Sequence, residues 1–320
     1  MLPILIVFLA DAGPARFRFA EPHMGTTFAV TLYAADEAAA KKAARAAFAR
    51  VAELNGIMSD YLPASELMKL CDKAGGEPVK VSGELFAVLA RARKVSEETD
   101  GAFDVTVGPV VRLWRVARKT ARLPDKDRLA AARALVGWRM MALDPRTRTV
   151  RLEKKGMRLD LGGIAKGYAA DEMLAVLKRH GIERALVAAG GDLRMGSPPP
   201  GKKGWTVDIA PIDRKEKSRR LELADCAVST SGDAEQFVEV DGVRYSHLVD
   251  PRTGLGLVGR MSATVIARDG ITADSLTKAV AILGAKKGFA VLARYKGASG
   301  RLVTRTDDGV KVEVSEGFPK

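Results

Sequence analysis

The chain has 320 residues, 47% of them hydrophobic and 28% charged, which excludes a disordered chain and leaves room for a sizeable core in one or two domains. Its net charge of +13 is spread along the chain and aromatic residues make up only 6%; without an aromatic-basic ladder we expect no nucleic-acid partner, and the charge suits an anionic small molecule or a membrane surface. The two cysteines, Cys71 and Cys226, lie far apart in no metal spacing, which excludes a disulfide scaffold and a cysteine zinc site and leaves at most one disulfide.

The run Leu2–Ala10 is apolar but too short to span a bilayer as a helix. It is similar to the apolar region of an export signal, with Ala10-Asp11-Ala12 as a small-x-small cleavage site before Gly13, although the basic leader is missing and no cysteine follows for a lipid anchor. The other reading is a buried first strand. We favour export: residues 1–12 as a signal peptide, 13–320 as a single domain, and an exported or periplasmic protein close to a membrane surface.

Thr26–Tyr33 alternates in polarity and predicts a half-buried strand, entered through Met24-Gly25. Asp36–Met58 is alanine-rich with apolar residues at helical spacing, an amphipathic helix. Pro63 disfavours helix before it, so Tyr61 falls in an extended turn, either as an exposed aromatic able to stack on a ring or packed on its neighbours. Ser82 is placed to cap a helix running to about Thr99, ended by Asp100-Gly101. Ala102-Phe103-Asp104 and Thr106–Pro109 form a loop, and Val110–Arg118 a further helix; residues 119–135 read as polar surface. Short strands follow near Met141 and over Val150–Leu152.

Met157–Leu161 alternates as a strand end, breaks at Gly162-Gly163 and opens near Lys166 into a helix to His180. Such a turn presents backbone N–H groups and a positive helix end to an anion, with Lys166 adding charge and Asp160 beside it. It is neither a dinucleotide fingerprint nor a P-loop. Ala185–Ala189 is a buried strand stopping at Gly190-Gly191-Asp192. Strands are expected over Trp205–Ala210 and Ala227–Thr230, the latter ending in Ser231-Gly232-Asp233, and Asp241-Gly242 marks a hairpin. The hairpin leads to Tyr245–Gly254, rich in polar side chains; then come a strand over Ser262–Ala267, a helix from Thr272 to Leu283 with Thr272 as cap, a helix over about Lys287–Tyr295 and a terminal hairpin. Strands and helices mix without strict alternation, so the expected class is mixed α/β (α+β).

The glycine-acid loops 101–109, 160–167, 190–192 and 231–233, with the His247–Gly254 loop and Asp274, would gather at one sheet edge. Together they offer an anion-binding backbone and carboxylates for a hard cation such as Mg²⁺, a combination suited to a diphosphate.

Seven segments then carry a resemblance: Met24–Phe28, Ala102–Pro109, Leu159–Tyr168, Gly190–Asp192, Thr230–Asp233, Ser246–Gly254 and Ala273–Leu276. In this order they are similar to the FAD:protein FMN transferases of the ApbE type. The resemblance implies an ApbE-like fold related to the T-fold proteins, binding of FAD and Mg²⁺, and transfer of FMN to a Thr or Ser hydroxyl of a target flavoprotein with release of AMP. Targets of that family are typically subunits of membrane redox complexes, and some relatives instead hydrolyse FAD to FMN and AMP. Carried over by position, Met24, Tyr61, Ala102, Phe103, Asp104, Asp160, Lys166 and Leu248 match flavin-nucleotide contacts. Backbone carbonyls in the Gly163–Ala165 turn and the Asp274 carboxylate match metal ligands, with Thr277 as the neighbouring hydroxyl.

The chain departs from that family at Ala188, where a polar residue is common, and at Lys278, where a metal-ligating Thr is usual. Two readings of Lys278 stand. In the first, which we favour, Thr277 and backbone oxygens complete the Mg²⁺ shell and Lys278 turns to the diphosphate or solvent. In the second, the Lys278 ammonium partly replaces the metal, because Asp274 and Lys278 share a helix face. An acceptor hydroxyl needs a base, and His247 is the candidate, with a His that hydrogen-bonds within the Asp250-Pro251 turn as the other reading; Asp274, as the charged residue of the centre, completes the catalytic candidates. Asp250 either orients His247 or caps its own turn.

Overall fold

The computed structural model describes residues 13–212, 218–232, 237–306 and 308–319. The expected signal segment 1–12 and Asp233 lie outside them. The chain opens with a hairpin, β1 (Ala15–His23) and β2 (Thr26–Ala34), followed by α1 (Glu37–Met58), α2 (Glu66–Asp72), the short β3 (Val79–Lys80) and α3 (Gly83–Glu98). Next come α4 (Gly108–Thr120), α5 (Lys126–Arg133), β4 (Met141–Asp144), β5 (Thr149–Leu152) and α6 (Ala165–Arg179). Strands β6 (Ala185–Ala189), β7 (Asp192–Met195), β8 (Trp205–Ile209), β9 (Arg219–Leu223), β10 (Ala227–Gly232), β11 (Phe237–Val240), β12 (Val243–Val249), β13 (Gly256–Val258) and β14 (Met261–Ala267) follow. Helix α7 (Gly270–Leu292) and the hairpin β15 (Ser299–Thr306) and β16 (Gly309–Val314) close the fold.

Eight strands form one sheet in the order β1-β2-β6-β7-β10-β14-β15-β16, antiparallel at every pairing. Both faces are covered, and the period-2 alternation of the strands decides which residue goes where. Val187 and Val265 point into the main core with α1, α6 and α7, while Leu186 and Ile266 pack with Trp205, Val207 and Leu221 of the small β8–β9 sheet on the other face. Met24 and Gly25 turn the first hairpin with φ of 48° and 72°, and Asp241 and Gly242 turn another with 52° and 73°; both are two-residue turns whose positive φ matches the strand twist.

Local chemistry starts the helices where it is expected to. Asp36 caps α1 through Ala39 N and Ser82 caps α3 through Leu85 N. Three expectations need correction. Residues 119–135 contain α5, capped by Asp125 through Arg128 N; its charged sequence has only a narrow apolar stripe. The cap of α7 is Asp269, which accepts from Thr272 N, because the carboxylate lies one turn ahead of the threonine. The two last helices are arms of α7 on either side of a kink at Gly284, with φ 73° and ψ 175°.

Helices α6 and α7 cross with their backbones almost touching. A Cβ placed on Gly167 would sit 2.1 Å from the carbonyl oxygen of Gly270, and one on Gly270 would sit 2.4 Å from that of Gly167. Each helix also caps the other. Asp171 of α6 accepts from Gly270 N at 2.8 Å and Ile271 N at 2.9 Å, and Asp274 of α7 accepts from Gly167 N at 3.0 Å. Gly167→Ala should therefore cost roughly 1–3 kcal/mol in urea unfolding, the cost of overpacking. Gly56→Ala, on the exposed side of α1 with nothing within 4 Å, should gain about 0.5–1 kcal/mol in the same measurement.

Candidate active site

The crossing brings the start of α6 up against the first turns of α7. Asp160 N donates to Val105 O at 2.8 Å, and Leu161 O accepts from Ile164 N and Ala165 N at 3.0 and 2.8 Å. The chain thus passes from an extended segment through Gly162-Gly163 into α6, one residue earlier than expected. Ile164 at the cap position offers no side-chain hydrogen bond, so the first N–H groups of α6 depend on partners from elsewhere. One of them is Asp274.

Asp274 is wholly buried. Its Oδ2 takes Gly167 N and lies 3.7 Å from the Lys166 ammonium, and its Oδ1 is held by the Lys278 ammonium. Burial alone would raise the carboxyl pKa, but Lys166 and Lys278 outweigh it and hold it below the ordinary value. Lys166 reaches Gly162 O at 3.2 Å and Asp192 Oδ2 at 2.9 Å. Burial would strip its proton, yet Asp274 and Asp192 keep its pKa above that of a free lysine. Asp192, also buried, accepts from Ser229 Oγ. The Thr277 hydroxyl donates to Asp274 O at 2.7 Å and accepts from Ser231 Oγ at 3.1 Å, which commits it to its own helix and to β10.

A second group of side chains flanks the same loop. Arg115 of α4 binds Asp60 Oδ2 at 2.5 Å and Asp160 Oδ2 at 2.8 Å. Its guanidinium lies 4.3 Å from the ring centroid of Tyr61, which is 72% exposed, so the exposed reading of Tyr61 holds and the ring is steadied by a cation–π contact. The other Asp160 oxygen accepts from Gly162 N at 2.8 Å. Burial, then the nearby Asp60 charge, push the Asp160 pKa up against the pull of Arg115. The Phe103 ring and the Lys278 stem bracket Gly163, at 3.3 and 3.5 Å from where its Cβ would be. A side chain at Gly163 would close the space between them.

His247 lies half-buried on β12 between buried Ser246 and Leu248. Its loop is tied to α4: Trp114 Nε1 donates to Gly254 O at 2.8 Å, and the Trp114 and Tyr245 rings meet at 5.5 Å. Asp250 takes the turn-capping role, accepting from Arg252 N and Arg252 Nε at 2.9 Å each. Met24 sits in the β1–β2 turn, beside which Thr26 packs on Gly190 of the Gly-Gly-Asp turn.

The structure therefore joins Tyr61, Phe103, Asp160, Gly163, Lys166 and Asp274 around one loop. Leu248 and Ala102 are core residues. The Asp104 carboxylate is spent on Thr106 N, Thr106 Oγ1 and Trp138 N at 2.7–2.8 Å, so it holds the 102–106 loop in shape. Ala165 is buried in the first turn of α6. Among the described residues no three His, Cys, Asp or Glu side chains gather as metal ligands. The Lys278 ammonium sits on the Asp274 carboxylate. Sequence reasoning missed Arg115, which stands in an ordinary helical pattern with no local sign of its partners. Asp192 was visible only as part of a glycine-acid turn.

A glycine-broken helix start lined by paired lysines and carboxylates, with an aromatic ring at its rim, is an arrangement of the kind that suits a phosphate-bearing ligand. Comparison with known proteins narrows that class. The family model described as the ApbE family matches residues 24–301, and the chain belongs to that family. It is 32% identical over 303 residues to the FAD:protein FMN transferase of Vibrio cholerae, covering 93% of this chain and 90% of that one. It is 35% identical over 305 residues to that of Treponema pallidum, covering 89% and 84%. Among solved structures, the flavin transferase ApbE from Vibrio cholerae superposes with a TM-score of 0.86 at 30% identity, covering 95% of this chain and 98% of that one. The apo flavinyl transferase ApbE of Pseudomonas stutzeri gives 0.83 at 29% identity, covering 95% and 96%.

Replacing Asp274 by Ala leaves buried ammonium groups uncompensated and should cost about 3–5 kcal/mol. The folded pKa of Asp274 is lowered, so the stability it contributes is complete above the ordinary carboxyl value of 3.8 and drains away as pH falls below it. The stability gap between the protein and its Asp274→Asn variant should accordingly be constant near neutrality and shrink below pH 3.8 in acid titrations followed by circular dichroism.

Proposed function

We propose that this chain transfers FMN from FAD to a Thr or Ser hydroxyl of a target flavoprotein and releases AMP. The observation that carries the reading is the gathering of Tyr61, Phe103, Asp160, Lys166 and Asp274 around the Gly162–Gly163 turn, in a chain whose relatives are named FAD:protein FMN transferases.

In this reading the diphosphate lies over the start of α6 and the flavin is held near Phe103 and Tyr61. The acceptor oxygen attacks the phosphorus of the FMN half. The bond from that phosphorus to the bridging oxygen breaks, and AMP leaves with the bridging oxygen. The hydroxyl proton passes to the His247 imidazole, the side chain here best suited chemically to serve as a general base. Charge developing on AMP is met by the positive end of α6 and by the lysine charges beside it. If water takes the place of the acceptor, the same displacement yields FMN and AMP.

Mg²⁺ was expected at Gly163, Ala165, Asp274 and Thr277. The residues as they stand do not fit a resident divalent ion: both Asp274 oxygens are occupied, one by an ammonium, and the Thr277 hydroxyl is committed elsewhere. We also propose that the acceptor is a subunit of a membrane redox complex and that the protein acts outside the cytoplasm. The second point rests on the Leu2–Ala10 run. Among the described residues no helix is long and apolar enough to cross a membrane.

Intact-mass measurement of an acceptor domain carrying an Asp-Gly-Ser-Thr site, incubated with the protein and FAD, should give an FMN-sized gain together with free AMP. AMP without a mass gain on either of two acceptors would replace the transferase with a hydrolase. His247→Ala should slow transfer by about 10²–10⁴-fold while leaving FAD affinity near that of the wild type, as expected for loss of a general base.

A further inference from the structure

We infer that Lys278 is the resident cation of this site: its ammonium fills the place beside Asp274 where a divalent metal ion would sit, so the chain binds the FAD diphosphate without one. The inference rests on the FAD reading above and deepens it.

Three observations carry it. The first is saturation of the carboxylate. Asp274 is fully buried, with Oδ1 on Lys278 and Oδ2 on Gly167 N and near Lys166. A metal at Oδ1 would compete with an ammonium that sits four residues along the same helix and is thereby held at short range.

The second is the charge balance. The buried carboxylates Asp192 and Asp274 are matched by the ammonium groups of Lys166 and Lys278. The cluster is neutral before any ligand arrives. Among the described residues no third acidic, cysteine or histidine ligand gathers beside the two lysines to hold a divalent ion. A protonated lysine also has no lone pair to give a metal.

The third is donor availability. Lys166 already serves Gly162 O and Asp192 and lies close to Asp274. Lys278 has only Asp274 as partner among the described residues. Its side chain is 15% exposed, and its stem runs along Gly163 at the glycine turn. An ammonium carries three N–H donors, so two remain for phosphate oxygens arriving at that turn. Asp274 acts as the positioning residue, since it aims the ammonium.

The test uses the full-length protein and two readouts that do not need turnover. FAD affinity is measured by quenching of flavin fluorescence in EDTA and in Mg²⁺, and Mn²⁺ uptake is followed by loss of the free-ion EPR signal, with FAD alone as control. The expected result is equal FAD affinity in both buffers and no Mn²⁺ bound beyond that taken by FAD itself. Lys278→Thr should weaken FAD binding in EDTA by about 10- to 100-fold, the worth of a charge-assisted hydrogen bond, and should recover affinity with Mg²⁺ while taking up Mn²⁺. Loss of wild-type affinity in EDTA, or stoichiometric Mn²⁺ uptake by the wild type, overturns the inference. These wild-type outcomes decide the matter even if the variant fails to fold, and Lys278→Arg, which keeps the charge, should stay insensitive to chelator. FAD binding that is indifferent to chelator but never leads to a flavinylated acceptor would sink the transferase reading alone. Absence of FAD binding in both buffers would overturn the FAD reading and this inference with it.

Discussion

Everything in the site depends on how closely α6 and α7 approach. Two helices whose side chains interdigitate keep their axes about 8–10 Å apart; with glycine at both contact points, Gly167 and Gly270 let backbone meet backbone. Only at that distance can Asp274 reach an N–H in the first turn of α6 while Asp171 reaches the first N–H groups of α7. Two helix starts, each short of acceptors, satisfy one another. The positive ends of both helices are thereby placed together.

Concentrating helix ends and lysines in one place would be costly without compensating charge. Asp274, Asp192 and Asp160 supply it, and their environments differ in a useful way. Asp274 lies between two ammonium groups and stays ionised; Asp160, with one guanidinium and a neighbouring carboxylate, is pushed the other way by burial. Arg115 ties Asp160 to the rim through Asp60 and Tyr61. On the same helix Trp114 ties α4 to the loop after His247. One helix thus links the base candidate to the phosphate turn, and displacement of α4 would disturb both.

Departure from a family pattern at Lys278 gains meaning only in this setting. In sequence it is a lysine four places after an aspartate, a pairing common on helix surfaces where it contributes little. Here the aspartate has no exposure at all, so the partner is not optional: without it a buried carboxylate would lose half its compensation.

Much of the architecture was legible in local sequence. Ser82 and Asp36 as caps, Asp241-Gly242 as a turn, the alternation of Thr26–Tyr33 and the start of a helix after Gly162-Gly163 all depend on interactions within a few residues, and all appear in the structure; the expected strand end over Met157–Leu161 does not, since that stretch is irregular backbone with a single bridge from Arg158 to Val107. Which acids face the ligand and which hold the frame was not legible. Asp104 stands in a motif with Phe103, yet its oxygens are consumed by Thr106 and Trp138. Arg115 sits in an unmarked helix and meets Asp160 from 45 residues away. Local hydrogen bonding and side-chain period are properties of neighbouring residues, so the sequence alone determines them. The partner of a buried charge is chosen by which helices and loops the fold brings within about 3 Å, and only the tertiary structure decided that.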